Sequence, residues 1–451
     1  MKRLDNSLKN DVTEKLVTAA WQNLLTKGGE LRTESGQPLQ IVYPGKSSDG
    51  PGSDFQNAVI KVNRHLLKGN IEVHIKSSDW HHHGHHLDPA YNGVVLHVAL
   101  QHDYPGDIKL QNGDVLQTIA IDRYLKNDIA PLASGQVICA GIGMHAPNRL
   151  LKILDRAGAI RFSEKAVRFQ NQLHIQAPGQ CLYYGIMTAL GYARNQAPFQ
   201  ELAERLPLAT LESLVKNTNE SVQSAVRLQA LLLGTAGFLP SQRPECEYSP
   251  CEDYAYVQKL ETVWETMRPV DVMDFSAWQS FRVRSSNSPL RRLTGLCGLL
   301  HRYREKGLLR GLLDVVSDVP AEKSSHLLED GLMSADHGYW ASRYDFGKGY
   351  PGLSKWLIGR SRAADIVINV LLPFVYTWGK ENGETELAEK AFNLFLSYPP
   401  AATNTVVRHM TTQFGLNNSQ VNSVQRQQGL LHLYKKWCTQ GRCKEYEVTV
   451  I

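Results

Sequence analysis

Residues 69–86 read GNIEVHIKSSDWHHHGHH. Ile71, Val73 and Ile75 alternate with Glu72, His74 and Lys76. Successive side chains of a β-strand point to opposite faces, with same-face neighbours about 6–7 Å apart. The spacing therefore predicts a strand with a β-branched apolar face. Its other face carries an acid, an imidazole and an ammonium in a row. The strand ends at Asp79-Trp80, and a run of histidines follows at once. Nine of the sixteen histidines fall between His65 and His102.

Upstream, Asp54 in PGSDF opens the preceding strand candidate, FQNAVIKVN. In an antiparallel pair it lies beside Glu72 or His74. A bland alternative is an amphipathic strand whose polar face is solvated. The density of histidines argues against an ordinary solvated edge. Asp54, Glu72 and His74 form a candidate metal-ligand set. Their hard oxygens suit Mg or Mn, and the nitrogen also accepts Mn or Zn. Carboxylates with a nearby lysine suit metal-assisted phosphodiester hydrolysis, in which the metal polarises the phosphate and acidifies a bound water. Lys76 is a compact, mobile charge able to orient that water or offset charge building on the phosphorus. Consecutive histidines cannot all turn to one ion, so HHHGHH supplies at most two or three. His83 or His86, with Asp79, is expected outside the first ring of ligands. Asp79 and Trp80 are expected to fix the strand end. His97, in the apolar run VVLHVAL, reads as a core histidine. Glu14 reads as part of a solvated helix face.

The rest of the 451 residues sort into two textures. Residues 11–25 read as a helix, with Leu16, Ala19, Ala20 and Leu24 near helical spacing. LQIVY, FQNAVIKVN, GNIEVHIKSS and VVLHVALQH read as strands between Gly/Pro/Ser turns. From about residue 150 helical runs dominate, among them GQCLYYGIMTALGYARN, RRLTGLCGLLHRYREKGLLRGLL and AADIVINVLL. The expected fold class is α+β. A small mixed α/β domain covers residues 1–130, and a larger, mainly helical domain covers 131–451.

Composition limits the alternatives. Apolar residues make up 42% and charged residues 21%, which excludes global disorder. The apolar stretch Ile366 to Trp378 is short and broken by Asn369 and Pro373, so no membrane span is expected. The charged N-terminus lacks the apolar core of a signal peptide. Seven cysteines in 451 residues fit reduced thiols in a cytoplasm better than a disulfide framework. The Cys246/Cys251 and Cys438/Cys443 pairs read C-x4-C, wider than a zinc knuckle, and Mg or Mn, not zinc, is the expected cofactor. The net charge of +5 divides into −1 over residues 1–125 and +6 beyond. This mild basic excess permits a polyanionic partner. Arg282, Arg284, Arg291 and Arg292 in FRVRSSNSPLRR form a candidate phosphate clamp, and Arg426, Lys435 and Lys436 add to the basic character.

The order helix, strand, strand with Asp54, strand with Glu72 and Lys76, helix, strand resembles the PD-(D/E)XK nuclease core. His74 stands two before the lysine, where that motif has an acid, and Glu72 on the same face replaces it. Ser53 stands at the motif's proline. The resemblance implies a metal-dependent nuclease acting on DNA, with Asp54, Glu72, His74 and Lys76 at its site. PGSDFQNAVI, the 69–98 segment, FRVRSSNSPLRRL, DIVINVLLPF and QRQQGLLHLY together resemble an uncharacterised bacterial family that carries no activity to transfer. The alternative function is a catalytically inactive nuclease-like nucleic-acid-binding or scaffold protein. A metal-dependent hydrolase of a small molecule is a third class.

Overall fold

A computed structural model describes residues 13–27, 30–47, 53–125, 147–216, 221–243, 250–267, 271–279, 284–320 and 324–438. It has a mixed N-terminal sheet followed by a mostly helical region, the α+β organisation expected. The first helix, α1 (Glu14–Lys27), precedes strands β1 (Leu31–Arg32), β2 (Pro38–Tyr43), β3 (Lys46–Ser47), β4 (Phe55–Val62) and β5 (His65–Lys76). A short helix, α2 (Asp79–His82), and two 3-10 turns lead to β6 (Val94–Gln101), and β7 (Thr118–Ala120) completes the sheet.

The seven-stranded sheet runs β1-β2-β4-β5-β6-β7, with β3 paired to β4. β4 and β5 are antiparallel and joined by a tight turn, in which Asn63 adopts φ 54°. Asn is among the few L-residues that tolerate this left-handed conformation. A bulge near the start of β4 places Asn57 at φ 58° between the pairs Phe55–Ile71 and Ala58–Gly69. Bulges re-aim the chain locally, and Asp54 lies at the end of β4 that this one adjusts. β5 and β6 are parallel. A Cβ on Gly69 would fall 2.4 Å from the Gly93 carbonyl oxygen, so only glycine admits this approach of the β6 segment.

Ile71 and Val73 of β5 are buried in a core with Val17, Ala20 and Trp21 of α1 and Leu96 and Val98 of β6. The opposite face of β5 is covered at Glu72 and His74 and open at Lys76. Trp80, Val94, Ile108, Leu110 and Leu116 form a second apolar cluster of the same unit. Glu72 is 6% exposed and His74 1%. Strands in parallel pairing are commonly covered on both faces, and here the residues after β5 fold back over its polar side.

The described residues divide into two compact units, one from 1–158, 403–422 and 426–451, the other from 159–402 and 423–425. The division differs from the expected boundary at 130/131. It falls inside the helix Pro147–Leu173, and two C-terminal segments pack with the sheet unit. One tie is Tyr43 Oη to His409 Nε2 at 3.0 Å, and Arg426 pairs with Asp155 at 2.9 Å. Such long-range pairing leaves no local sequence signal.

The second unit is built of helices around one large apolar core. The long run RRLTGLCGLLHRYREKGLLRGLL forms two helices, Pro289–Arg302 and Leu308–Asp318, because Gly307 at φ 81° breaks it. Small two-stranded ribbons, Ser334–Ala335 with Trp356–Ile358 and Arg343–Asp345 with Lys348–Gly349, interrupt the helical pattern. In AADIVINVLLPF the helix widens into a π-turn at Val367–Leu371, just before Pro373, whose missing N–H cannot continue regular pairing. Among the described residues, no helix is long and apolar enough to cross a membrane.

Candidate metal centre

The Phe55–Ile71 register sets Asp54 beside Glu72. The Asp54 amide donates to Glu72 Oε2 at 3.3 Å, and Asp54 Oδ2 accepts from the Val73 amide at 2.8 Å. The two carboxyl groups thus share one corner of the sheet, as the antiparallel pairing predicts.

His74 is the hub of an imidazole cluster. Its Nδ1 stands 2.9 Å from His97 Nε2 and its Nε2 stands 3.2 Å from His83 Nδ1. Glu72 Oε1 lies 3.9 Å from His74 Nε2 and 3.6 Å from His85 Nε2. Donor atoms of His74, His83 and His85 all lie within 4.8 Å of one another. His74 stacks on His85, and Tyr91 packs against the His85 ring at 3.8 Å between centroids. Trp80 lies edge-on to both histidines, its Nε1 donating to the Lys109 carbonyl.

Burial sets the charges here. It drives the Glu72 carboxyl up to about 8, with the nearby Asp54 charge adding to the rise. It also lowers His74 to about 3 and His85 to about 4, and His97 falls well below its usual range. At neutral pH the metal-free centre is therefore a protonated carboxyl among neutral imidazoles, and the Glu72–histidine contacts are not ion pairs. Neutral imidazoles present lone pairs, as metal ligation requires. Asp54 is also raised, chiefly by burial and against the pull of the Val73 amide.

Asp54, Glu72 and His74 are thus brought together, while Lys76 lies at the exposed end of the same strand face. Its ammonium is 4.0 Å from Asp103 Oδ2, and its amide donates to Asp79 Oδ2 at 2.9 Å. Asp79 and Trp80 fix the strand end as expected. Asp103, which the sequence reading passed over, locks the same turn by accepting from the Ser77 and Ser78 hydroxyls and the Ser78 amide. Glu14 is exposed, as expected of a solvated helix face. Its carboxyl is raised by partial burial, pulled down by the charge of His83 and pushed up by those of Asp54 and Asp79.

Of the histidine run, His83 and His85 join His74, while His86 instead packs against His81, which stacks on Tyr104. His85 was missed because its position depends on Gly84, whose φ of 75° turns the chain back after α2. A glycine inside the run was the available signal. His97 is fully buried, as a core residue would be, yet it contacts His74 directly.

The arginine clamp requires correction. Arg291 and Arg292 are 0% and 5% exposed. Arg291 donates to the carbonyls of Trp340, Arg343 and Ser354. Arg292 donates to the Leu357 carbonyl, the Tyr192 hydroxyl and Asn287 Oδ1. Their donors tie irregular segments to the helix and do not face a phosphate. Arg284 is exposed, and Arg282 lies outside the described residues. Cys246 and Cys443, and the side chain of Cys251, lie outside them as well, while Cys438 is buried, its thiol 3.9 Å from Met410 Sδ.

No curated protein and no solved structure matches the chain. A family model described as a protein of unknown function (DUF2851) matches residues 14–404, and the chain belongs to that family.

Proposed function

We propose that the protein is a metal-dependent nuclease that hydrolyses phosphodiester bonds in DNA at the Asp54–Glu72–His74 corner of the sheet. The observation that carries this reading is the pairing of Asp54 with Glu72 across β4 and β5, with His74 and Lys76 continuing the Glu72 face. Asp54, Glu72 and His74 would hold Mg or Mn. A bound ion would polarise the phosphate and lower the pKa of its water. Asp54 stays tied to the Val73 amide, which fixes its carboxylate relative to Glu72. Lys76, half exposed at the strand end, has room to swing from Asp103 toward an attacking water or a developing phosphorane charge. The buried thiols Cys181, Cys297 and Cys438 fit a reducing cytoplasm.

One observation favours a second reading, a non-catalytic nucleic-acid-binding protein. His74 replaces an acid of the nuclease motif, and the Lys76 ammonium faces Asp103. The two are separated by incubating the full chain with plasmid DNA in Mg and in Mn. Cleavage that disappears in Lys76→Ala and Glu72→Gln supports the nuclease. Salt-sensitive binding without turnover in either metal supports the second reading. Full cleavage by Asp54→Ala, Glu72→Ala and Lys76→Ala alike would place any activity elsewhere.

A further inference from the structure

We infer that His74, His83 and His85, with Glu72 as the fourth ligand, form a nitrogen-rich position for a zinc-class divalent metal, distinct in ligand set from an Mg site. Four ligands around Zn, at about 2.0–2.1 Å each, stand about 3.3 Å apart in a tetrahedron. The His74–His83 pair, at 3.2 Å, lies close to that edge. The Glu72–His85 and Glu72–His74 pairs, at 3.6 and 3.9 Å, need only a small contraction.

A hydrogen bond between the two rings would account for the His74–His83 distance by itself. It does not account for His85 adding a donor atom within 4.8 Å of those of His74 and His83, or for Glu72 Oε1 lying 3.6 Å from His85 Nε2. Three imidazoles and one carboxylate oxygen are a donor set for Zn, Co or Mn. Mg prefers near-octahedral oxygen ligation and keeps its waters.

The surroundings hold the rings in place. Metal-bound histidines commonly donate their second ring nitrogen to a fixed partner. His97 Nε2, fully buried, offers that acceptor to His74 Nδ1 at 2.9 Å. Tyr91 and Trp80 pack against His85. His83 is exposed, so an ion would enter and leave on its side. Glu72 divides its two oxygens, Oε1 toward the imidazoles and Oε2 toward the Asp54 amide.

This position shares Glu72 and His74 with the proposed reaction centre but does not depend on cleavage, so its test uses no DNA. Metal-free full-length protein is titrated with Co(II), read by its visible absorption, and with Zn(II), read by calorimetry. One equivalent of each should bind, with the intense visible bands of four-coordinate cobalt, and Mg in large excess should not displace it. His83→Ala should weaken Zn at least tenfold while its circular dichroism matches wild type, since His83 is exposed. His82→Ala, whose ring faces Asp79, should bind as wild type does. The absence of a stoichiometric Co or Zn site in the wild type, or unchanged affinity in a folded His83→Ala, would overturn the inference. Zinc binding without nuclease activity sinks only the nuclease proposal. Cleavage in Mg without any Zn or Co binding sinks only this one.

Discussion

The Asp54 amide donates to the carboxyl of Glu72, while the Asp54 carboxylate accepts from the amide that follows Glu72. The two acids, eighteen positions apart in sequence, are held by each other's backbone as much as by the sheet. Two carboxyl groups in one buried corner cannot both ionise cheaply. The pair is stable because Glu72 keeps its proton up to about 8.

Glu72→Gln imitates the protonated acid. In metal-free protein at pH 7 its melting temperature should equal or exceed that of wild type, while DNA cleavage in Mn falls at least about 100-fold, in the range of losses on removing one electrostatic catalytic group. Calorimetric melting and a plasmid assay on the same samples check both. A strongly destabilised variant would contradict the neutral state assigned to Glu72.

The pH dependence of metal-free stability has two arms. Glu72 has a folded pKa raised from 4.5 to about 8, so its contribution is full below 4.5 and is lost as pH rises through 8. His74, His85 and His409 have folded values lowered from 6.5 to about 3, 4 and 4. Their contributions are full above 6.5 and are lost as pH falls toward those values. From 4.5 to 6.5 the two trends oppose, and the lowered His74, His85, His97 and His409 outnumber the raised Glu72, Asp54 and Glu14. Wild-type stability should therefore peak near pH 6.5 and decline toward both 4 and 8. The alkaline decline should be weaker in Glu72→Gln. Thermal melts across pH 4–9 with a chelator present measure this, and an unchanged alkaline slope in the variant would count against it.

Lys76 is half exposed and bears no buried contact. Lys76→Ala should leave stability within about 0.5 kcal/mol, as surface substitutions usually do. Cleavage should nonetheless be lost. Lys76→Arg should restore little, because a planar guanidinium is a poor substitute for a mobile ammonium. Denaturant melts beside the plasmid assay test the pair of claims.

Arg291 is fully buried and donates to three backbone carbonyls. Arg291→Ala should cost about 3–5 kcal/mol, since removing one partner leaves buried polar groups unpaired. Arg284→Ala, at an exposed position, should leave the denaturation midpoint unchanged. A folded, stable Arg291→Ala that had lost only DNA affinity would restore the phosphate-clamp expectation.

The local pattern was enough for the part of the strand from residue 69 and for an antiparallel neighbour that puts Asp54 beside Glu72 or His74, because alternation and turn residues act over a few positions; the strand's start at His65 and the choice of Glu72 came from the structure. It was also enough for the change from strands to helices along the chain. Charge pattern misled at Arg291 and Arg292, where a basic cluster reads as surface until the carbonyls of residues 340–357 are seen to fold around it.

The sequence by itself determined which residue types lie on each face of the central strand, since a period of two is a property of the extended backbone. Only the tertiary structure decided that the polar face is buried, that His85 and His83 close on His74, and that residues 403–422 pack with the sheet unit. These depend on the turn at Gly84 and on contacts between segments hundreds of residues apart. Burial, which keeps the imidazoles neutral and the Glu72 proton in place, is a property of the packed chain and not of any stretch of it.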